Sequence, residues 1–227
     1  TVGLPAIVFR YFKKAPLVFW VLDLWPDTLE AVGVVRSERI LKLVGWLVSY
    51  IYKRCDLVLA QSKSFISHIK KYAGHDRIAY FPGWAESVFS VDQFRSPKRR
   101  SDSMQFNIVF AGNVSVSQDF PTVLKAMELL KDDEKICWTI VGDGRMSDWL
   151  ATEIGKRGLE NVVRLAGRHP MEELPEFFQD ADALLVNLKD EPIFSMTIPG
   201  KLQAYLVTGK PILALLNGEG ARLVKDS

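Results

Sequence analysis

The chain has 227 residues, of which 48% are hydrophobic, and its formal net charge is +2. This apolar content is sufficient for one large domain or two smaller ones. The small net charge argues against nucleic-acid binding by a positive electrostatic field of the whole protein. The two cysteines, Cys55 and Cys137, lie far apart and indicate neither a disulfide framework nor a metal site, which fits a reducing cytosol. Because no apolar run reaches the ~20 residues of a transmembrane helix, we expect no segment to span a bilayer.

The first part of the chain reads as a loose alternation of strands and helices. Apolar runs predict strands at 17–22, 57–60 and 77–81, and helical spacing predicts helices at 41–54 and 62–72. These are too few strands for a complete doubly wound domain. The aromatic and basic stretch RYFKKAPLVFW (10–20) has two interpretations, contact with lipid headgroups or a core strand with surface lysines.

A regular strand and helix alternation begins at Phe106. Strands are predicted at 106–111, 138–141, 161–166, 183–186 and 211–216, with helices at 120–130, 149–156, 172–179 and after the turn at Pro199 and Gly200. We expect Asp119 to cap the helix at 120–130. Strands that are apolar almost throughout are buried on both faces, so the pattern predicts a parallel, doubly wound α/β sheet.

Small or polar residues follow each of these strands. In parallel α/β sheets ligands bind beyond the carboxyl ends of the strands, so we expect Asn113, Asp143, Arg168 and the 195–201 loop to converge on one cleft. The most informative segment is 183–216, where a strand leads through a loop to a helix start that carries Lys201. Free N–H groups and the partial positive charge of a helix start favour phosphate, so the segment predicts a nucleotide-type ligand.

Three further motifs have an ordinary explanation beside a functional one. Gly142-Asp143-Gly144 resembles the start of a dinucleotide fingerprint, but the third glycine position holds Ser147, and a tight turn accounts for the other two. Asp180 and Asp182 resemble a metal-binding carboxylate pair, but they precede a strand, at the end opposite the predicted cleft. The histidines are scattered, and His169 is either a cleft residue or an ordinary surface group.

Asp23 is a candidate for acceptor chemistry. It follows the first strand, where it would orient an acceptor hydroxyl or accept its proton. The alternative is a simple helix start capped by Asp27. Trp25 lies beside Asp23 in the sequence, and Gln61 and Ser62 occupy the equivalent place after the next strand.

The polar and basic segment 90–104 is predicted to link two domains, 1–89 and 105–227. Its cluster RSPKRR (95–100) is either a solvated linker or a phosphate or headgroup patch. We also expect the chain to be a fragment, because both predicted domains lack parts of a complete fold.

The ordered motifs VLDLWPD, DLVLAQS, YFPGWAE, FAGNVSVSQDFPTVLKAMELL, IVGDGR, VVRLAGRHPMEELPEFFQDADALLV and TIPGKLQAYLVTGKPILA cover nearly the whole chain. Together they resemble family 4 glycosyltransferases, and most closely the fucosamine-transferase-like branch of bacterial O-antigen and capsule biosynthesis. The resemblance implies a GT-B fold, in which two Rossmann-like domains face a cleft, both incomplete here. It also implies a retaining, metal-independent, hexosyltransferase-type enzyme that needs no cofactor.

The resemblance assigns the donor site. Lys201 would neutralise the leaving diphosphate, and Arg168 and His169 would border the base. Backbone contacts to the donor would come from two loops and a turn, namely Gly112, Asn113, Gly142, Asp143, Gly144, Ser195, Thr197, Pro199 and Gly200. The acceptor side would hold Asp23, Trp25, Gln61 and Ser62.

The chain departs from the family pattern at two places. The glutamate pair of the broad family is replaced by Met196 and Ala204, so that Gln203 is the candidate substitute for the ribose-binding carboxylate. The basic residue after the first glycine loop is replaced by Gln118. The Pro-Gly-Lys pattern at 199–201 fits a different clamp for the donor phosphate.

The sequence therefore predicts transfer of an N-acetylated sugar from a UDP-sugar to a lipid-linked saccharide, with retention, in cell-surface polysaccharide biosynthesis. The protein would lie in the cytoplasm, peripherally at the inner face of the cell membrane, with no nucleic-acid partner. Two alternatives remain: a non-catalytic nucleotide-binding fragment of such an enzyme, and a GT-B sugar-nucleotide epimerase.

Overall fold

The computed structural model describes residues 2–95 and 105–227, and the chain divides into two compact units. The N-terminal unit contains the chain up to Gly83 together with the segments Asp190–Ile198 and Asn217–Arg222. The C-terminal unit contains Trp84–Lys189, Pro199–Leu216 and Leu223–Ser227. Two short segments of the second half of the sequence therefore group with the first half.

The N-terminal unit is built on a three-stranded parallel sheet of order β1-β2-β3. Its elements are α1 (Gly3–Lys13), β1 (Val18–Val21), α2 (Asp27–Ala31), α3 (Glu38–Tyr52), β2 (Leu57–Ala60), α4 (Lys63–Ala73) and β3 (Ile78–Tyr80). In the register, Val18 pairs with Leu57, and Val58 pairs with Ile78. All three strands were predicted from the sequence within one or two residues.

The second half of the chain continues the alternation. Its elements are α5 (Val91–Arg95), β4 (Phe106–Ala111), α6 (Phe120–Leu129), β5 (Ile136–Val141), α7 (Ser147–Arg157), β6 (Val163–Gly167), α8 (Leu174–Asp180), β7 (Ala183–Asn187), α9 (Pro192–Ser195), α10 (Gly200–Thr208), β8 (Ile212–Leu215) and α11 (Gly218–Asp226). Of these, α9 and the start of α11 lie in the N-terminal unit. Residues 96–104 of the predicted linker, with nearly all of its basic cluster, lie outside the described residues.

The C-terminal unit contains a five-stranded parallel sheet of order β6-β5-β4-β7-β8. The chain runs outward from β4 to β6 and then returns to the other side of β4, so the strand order reverses between β4 and β7. All five residues of β7 are buried, as expected for a strand covered on both faces. The predicted parallel α/β architecture is confirmed.

The helix α1 was not predicted, and the stretch 10–20 divides between α1 and β1. Its β-branched and aromatic residues favour strands, but contacts distant in sequence hold the helix. Gly3 packs on Ile51 of α3, and Arg10 donates to the carboxylate of Asp56 at 2.6 Å. Of the second interpretation, the strand is β1, and the exposed Lys13 and Lys14 stand at the end of α1. In the described part of the chain no helix is both long and apolar enough to cross a membrane.

The predicted cap at Asp119 is also wrong. Asp119 precedes α6 with φ 44° and ψ 45°, and its side chain makes no capping hydrogen bond. Its backbone carbonyl instead accepts from the N–H groups of Thr122 and Val123. In this left-handed conformation the carboxylate of Asp119 is directed away from the first turn of α6. The conformation is uncommon for a residue other than glycine.

Candidate functional site

A cavity of about 470 Å³ lies at the carboxyl ends of β4, β5 and β6 in the C-terminal unit. It is lined by Gly112, Asn113, Val141, Gly142, Asp143, Gly144, Arg168, His169 and Leu174. The structure thus brings together the predicted donor-binding residues that follow these three strands. A cavity at this edge is where parallel α/β sheets bind ligands.

The glycines of the cavity allow two loops to touch through their backbones. A Cβ on Gly142, which has φ +137°, would lie 1.9 Å from the carbonyl oxygen of Gly112. A Cβ on Gly144 would lie 2.2 Å from the carbonyl oxygen of Val114. Backbone hydrogen bonds join the same loops, from Gly112 to Val141 and from Val114 to Asp143. Contact between loops therefore accounts for Gly142 and Gly144 without a dinucleotide fingerprint.

Asp143 and Arg168 place opposite charges at the cavity. The Ser147 hydroxyl, the Gly144 N–H and the charge of Arg168 hold the pKa of Asp143 below its ordinary value. The Gly144 N–H donates to the Asp143 carboxylate at 2.7 Å. Asp143 is therefore ionised at neutral pH and fixes the turn after β5.

The ring of His169 is held from three sides. Nδ1 lies 2.6 Å from a carboxylate oxygen of Glu173, and Nε2 lies 3.2 Å from the carbonyl oxygen of Ala166. The ring also makes an edge contact with Phe177, with centroids 4.7 Å apart. His169 therefore lies at the cavity wall, as one of the two interpretations expected, and its ring has a fixed orientation there.

The ammonium group of Lys201 lies beside Gly112. A Cβ on Gly112 would lie 2.9 Å from Nζ of Lys201. Nζ donates to Oε1 of Gln118 at 2.8 Å and lies 3.6 Å from the centre of the Phe110 ring. Burial lowers the pKa of Lys201 well below its ordinary value, because the surroundings disfavour the charged form. An anion bound at Gly112 would favour the charged form again.

Two residues that contribute to this geometry were missed as site residues. Gln118 appeared in the sequence only as a departure from the family pattern, yet it accepts the hydrogen bond of Lys201. Asn187, at the end of β7, is fully buried and donates through Nδ2 to the backbone carbonyl of Gln118. Its Oδ1 has no hydrogen-bond partner among the described residues. The polar residue at the end of a buried strand was the available signal for Asn187.

The predicted 195–201 loop is divided between the two units. Ser195 and Thr197 group with the N-terminal unit, and Pro199, Gly200 and Lys201 with the C-terminal unit. The N–H groups of Ser195 and Thr197 already donate to the carbonyls of Glu191 and Phe194, so they are not free donors. Pro199 precedes α10, and no side chain caps that helix start.

Asp23 and Trp25 share a second cavity, of about 250 Å³, in the N-terminal unit. Its walls are otherwise apolar, formed by Val2, Phe19, Trp20, Val21, Leu22, Val48, Ile51 and Tyr52. Asp23 as a whole residue is exposed to solvent. Its carboxyl nevertheless lies partly among apolar groups, and this desolvation raises its pKa. A carboxylate in such surroundings is a stronger base than one in water.

The other predicted acceptor-side groups have structural partners. Gln61 donates to the carbonyl of Leu22 at 2.6 Å. The buried hydroxyl of Ser62 accepts from the N–H of Phe65 at the start of α4 and donates to the carbonyl of Met196. Asp27 does not cap α2, because Pro26 occupies that position; its carboxylate lies 3.1 Å from Nε2 of His68.

Asp180 and Asp182 tie β4 to the start of β7. The N–H of Asn107 donates to the carboxylate of Asp182, and the Asn107 side chain donates to the carbonyl of Asp180. Within the ranges 2–95 and 105–227, no group of three or more His, Cys, Asp or Glu side chains is placed to hold a metal ion.

Comparison with known proteins gives a family match over part of the chain. Residues 91–198 match the family described as "Glycosyl transferases group 1". The chain is 29% identical to the "Probable glycosyltransferase WbjE" of Pseudomonas aeruginosa, over 97% of this chain and 56% of the relative. It is 26% identical to the "Putative colanic acid biosynthesis glycosyl transferase WcaI" of Escherichia coli K12, over 86% of this chain and 50% of the relative. The chain thus spans about half the length of these curated relatives.

Solved structures show the same fold. The crystal structure of Anabaena Alr3699/HepE in complex with UDP and glucose matches with a TM-score of 0.72 and 16% identity, over 97% of this chain and 58% of that one. The architecture is therefore the Rossmann-like α/β fold of GT-B glycosyltransferases, as the sequence predicted.

Proposed function

We propose that this chain contributes the nucleotide-sugar site of a glycosyltransferase that uses a UDP-sugar donor. The observation that carries the proposal is the cavity beside Gly112, with glycine backbone along its edge and the Lys201 ammonium next to it. The match to glycosyl transferases group 1 and the two named relatives support it. The HepE structure, which holds UDP, supports uracil as the base of the donor nucleotide.

The cavity suits a diphosphate because it combines close backbone approach with one positive charge. The absence of a Cβ at Gly112 lets an anion reach the backbone beside Nζ of Lys201. When the sugar leaves, negative charge develops on the diphosphate, and a fixed cation there favours the transition state over the bound substrate. Lys201 would supply that charge, while Arg168 and the oriented ring of His169 would border the base.

The acceptor is proposed to bind the N-terminal unit. The apolar cavity around Asp23 and Trp25 supports a site where a carboxylate of raised pKa orients the acceptor hydroxyl or takes its proton. The acceptor would be a lipid-linked saccharide, which implies work at the inner face of the cell membrane. The name of the colanic acid relative supports a role in polysaccharide biosynthesis.

The finer assignments follow from the sequence resemblance. They are family 4 and its fucosamine-transferase-like branch, an O-antigen or capsule product, a hexosyltransferase-type reaction, an N-acetylated donor sugar, transfer with retention, and chemistry without metal or cofactor. In this scheme 1–89 is the acceptor-side domain, 90–104 the linker and 105–227 the donor domain. Ser195, Thr197, Pro199 and Gly200 are proposed to adjoin the donor when it is bound.

Thermal unfolding with UDP, GDP or NAD added tests the proposal. A ligand at 100 times its Kd stabilises the folded state by ~2.7 kcal/mol, so UDP should raise the midpoint more than GDP or NAD. Calorimetric titration should show Lys201→Met weakening UDP binding roughly tenfold or more, since a hydrogen bond to a charged group contributes ~1.5–3 kcal/mol. EDTA should leave binding unchanged.

The matched control is Lys156→Met, which removes an exposed lysine paired with Glu153 on α7 and should leave UDP binding unchanged. Tighter binding of NAD than of UDP would contradict the proposal. Equal UDP affinity in Lys201→Met and the unsubstituted chain would remove the role given to Lys201. UDP-N-acetylglucosamine and UDP-glucose, compared in the same assay, test the preference for an N-acetylated sugar.

A further inference from the structure

The turn that carries Gln118 is fixed to the end of β7. Its backbone carbonyl accepts from the side chain of Asn187, which is fully buried. The carbonyl of the preceding residue, Ser117, accepts from the N–H of Lys189 at 2.9 Å. Asn187 is the last residue of β7 and Lys189 follows the strand, so the turn cannot move without breaking contacts to the end of β7.

The side chain of Gln118 is directed at Lys201. Gln118 is 9% exposed, and its Oε1 lies 2.8 Å from Nζ of Lys201. The ammonium also lies close to the Phe110 ring and to Gly112. Among the residues that the structure describes, the hydrogen-bond partner of this ammonium is the neutral amide of Gln118 rather than a carboxylate.

The chemistry of an amide oxygen explains why this partner suits an anion site. A carboxylate at position 118 would neutralise the ammonium, and a cation there would repel it. The amide oxygen accepts one N–H and carries no net charge. Lys201 is therefore held in place by a partner that adds no negative charge, so that an incoming anion is the group that favours its charged form.

We propose that Gln118 is the positioning residue for Lys201: it holds the ammonium against Gly112, where the diphosphate of the donor binds. This inference rests on the proposed function. It gives Gln118 a defined task at a position where the family pattern has a basic residue. Gln118 acts through Lys201 and need not contact the nucleotide.

A double-mutant cycle tests the coupling. Gln118→Leu keeps the size of the side chain and removes the acceptor, and should lower the affinity for UDP roughly tenfold. The affinity for uridine, which has no phosphate, should stay unchanged. In the Lys201→Met background the same Gln118→Leu change should alter UDP affinity by less than about twofold, because the lysine it acts through is absent.

Two results of the cycle would overturn the inference. One is an equal loss of UDP affinity from Gln118→Leu with and without Lys201, which would mean that Gln118 acts independently. The other is an equal loss for UDP and uridine, which would mean that the cavity itself is loosened. Unchanged UDP affinity in Gln118→Leu would also reject it.

A second measurement does not depend on UDP binding. Competitive acetylation of the intact chain over a range of pH, read by peptide mass spectrometry, reports the midpoint at which each lysine becomes reactive. Gln118→Leu should move the Lys201 midpoint to lower pH, because the charged form loses its hydrogen bond, and Gln118→Glu should move it to higher pH. Lys210, which donates to the carbonyls of Gln179 and Ala181, is the internal control.

The acetylation measurement distinguishes the positioning role of Gln118 from the proposed function. If the unsubstituted chain binds no UDP, the proposed function fails, whereas shifted Lys201 midpoints would still show that Gln118 positions the lysine. If UDP binds but the Lys201 midpoint is the same in all three proteins, the positioning role is rejected and the proposed function stands.

Discussion

Replacing Gly142 by alanine should destabilise the C-terminal unit and distort its cavity. The new Cβ would lie 1.9 Å from the carbonyl oxygen of Gly112 and 2.9 Å from the carbonyl carbon. Carbon atoms that are not bonded pack best at about 3.5–4.0 Å, so one of the two loops must move by about 1 Å or more. The atoms that would have to move belong to the backbones of the two loops, and backbone hydrogen bonds join these loops to each other.

Two costs add at this position. Gly142 has φ +137°, a region in which a residue with a side chain is strained by ~1–3 kcal/mol. Forcing an extra carbon into a packed site typically costs another ~1–3 kcal/mol. We therefore expect Gly142→Ala to lower the free energy of unfolding by about 2–6 kcal/mol, measured by guanidinium denaturation followed by circular dichroism. UDP binding should weaken in the same variant because the displaced loop carries Gly112.

Gly200→Ala is the matched control. A Cβ on Gly200 would meet no atom within 4 Å, and the residue begins α10. Alanine in a compatible helical position stabilises by ~0.4–1 kcal/mol, so this variant should be as stable as the unsubstituted chain or slightly more so. A change below about 0.5 kcal/mol in Gly142→Ala would show that the loops yield freely and would refute the argument from close contact.

Three further predictions concern a cap and two titrating groups. Ser62→Ala should cost about 1–3 kcal/mol of stability in denaturant titration, since the buried hydroxyl holds two backbone groups; the exposed Ser67→Ala should cost almost nothing. Burial lowers the pKa of His68, so the unfolded state binds the extra proton first, and stability should fall as the pH drops from about 7 to about 5. His68→Gln should flatten that slope, and an unchanged slope would reject the assignment. Burial also lowers the pKa of Lys201, so UDP binding should take up a proton and weaken as the pH rises above that pKa; calorimetry in buffers of different ionisation heat should detect this, and Lys201→Met should abolish it.

Much of the C-terminal sheet could be predicted because its strands are apolar throughout and each ends in a small or polar residue. That pattern placed β4, β5 and β6 and brought Asn113, Asp143 and Arg168 to one edge before any contact was known. The inference needs only the geometry of parallel strands, in which every carboxyl end lies on the same side.

The features that could not be predicted depend on contacts between distant residues. The strand-like composition of α1 is overridden by its packing on Ile51, and the local preference of Asp119 for a cap is overridden by a left-handed backbone. Ser195 lies only six residues from Lys201 in sequence, yet it groups with the other unit. No local propensity contains that information, because it arises from the partners that each segment meets after folding.

Gly112 is the residue at which the shape of the cavity and its charge depend on each other. The carbonyl oxygen of Gly112 leaves no space for a side chain at Gly142. On the other side, the missing Cβ of Gly112 leaves room for Nζ of Lys201. A side chain at Gly112 would therefore displace the ammonium and disturb the neighbouring loop at once, whereas Gln118→Leu alters only how the ammonium is held. If the loss of UDP affinity in Gly112→Ala exceeds that in Gln118→Leu, the excess measures the contribution of close backbone approach. Equal losses would mean that the charge of Lys201 accounts for diphosphate recognition at this edge.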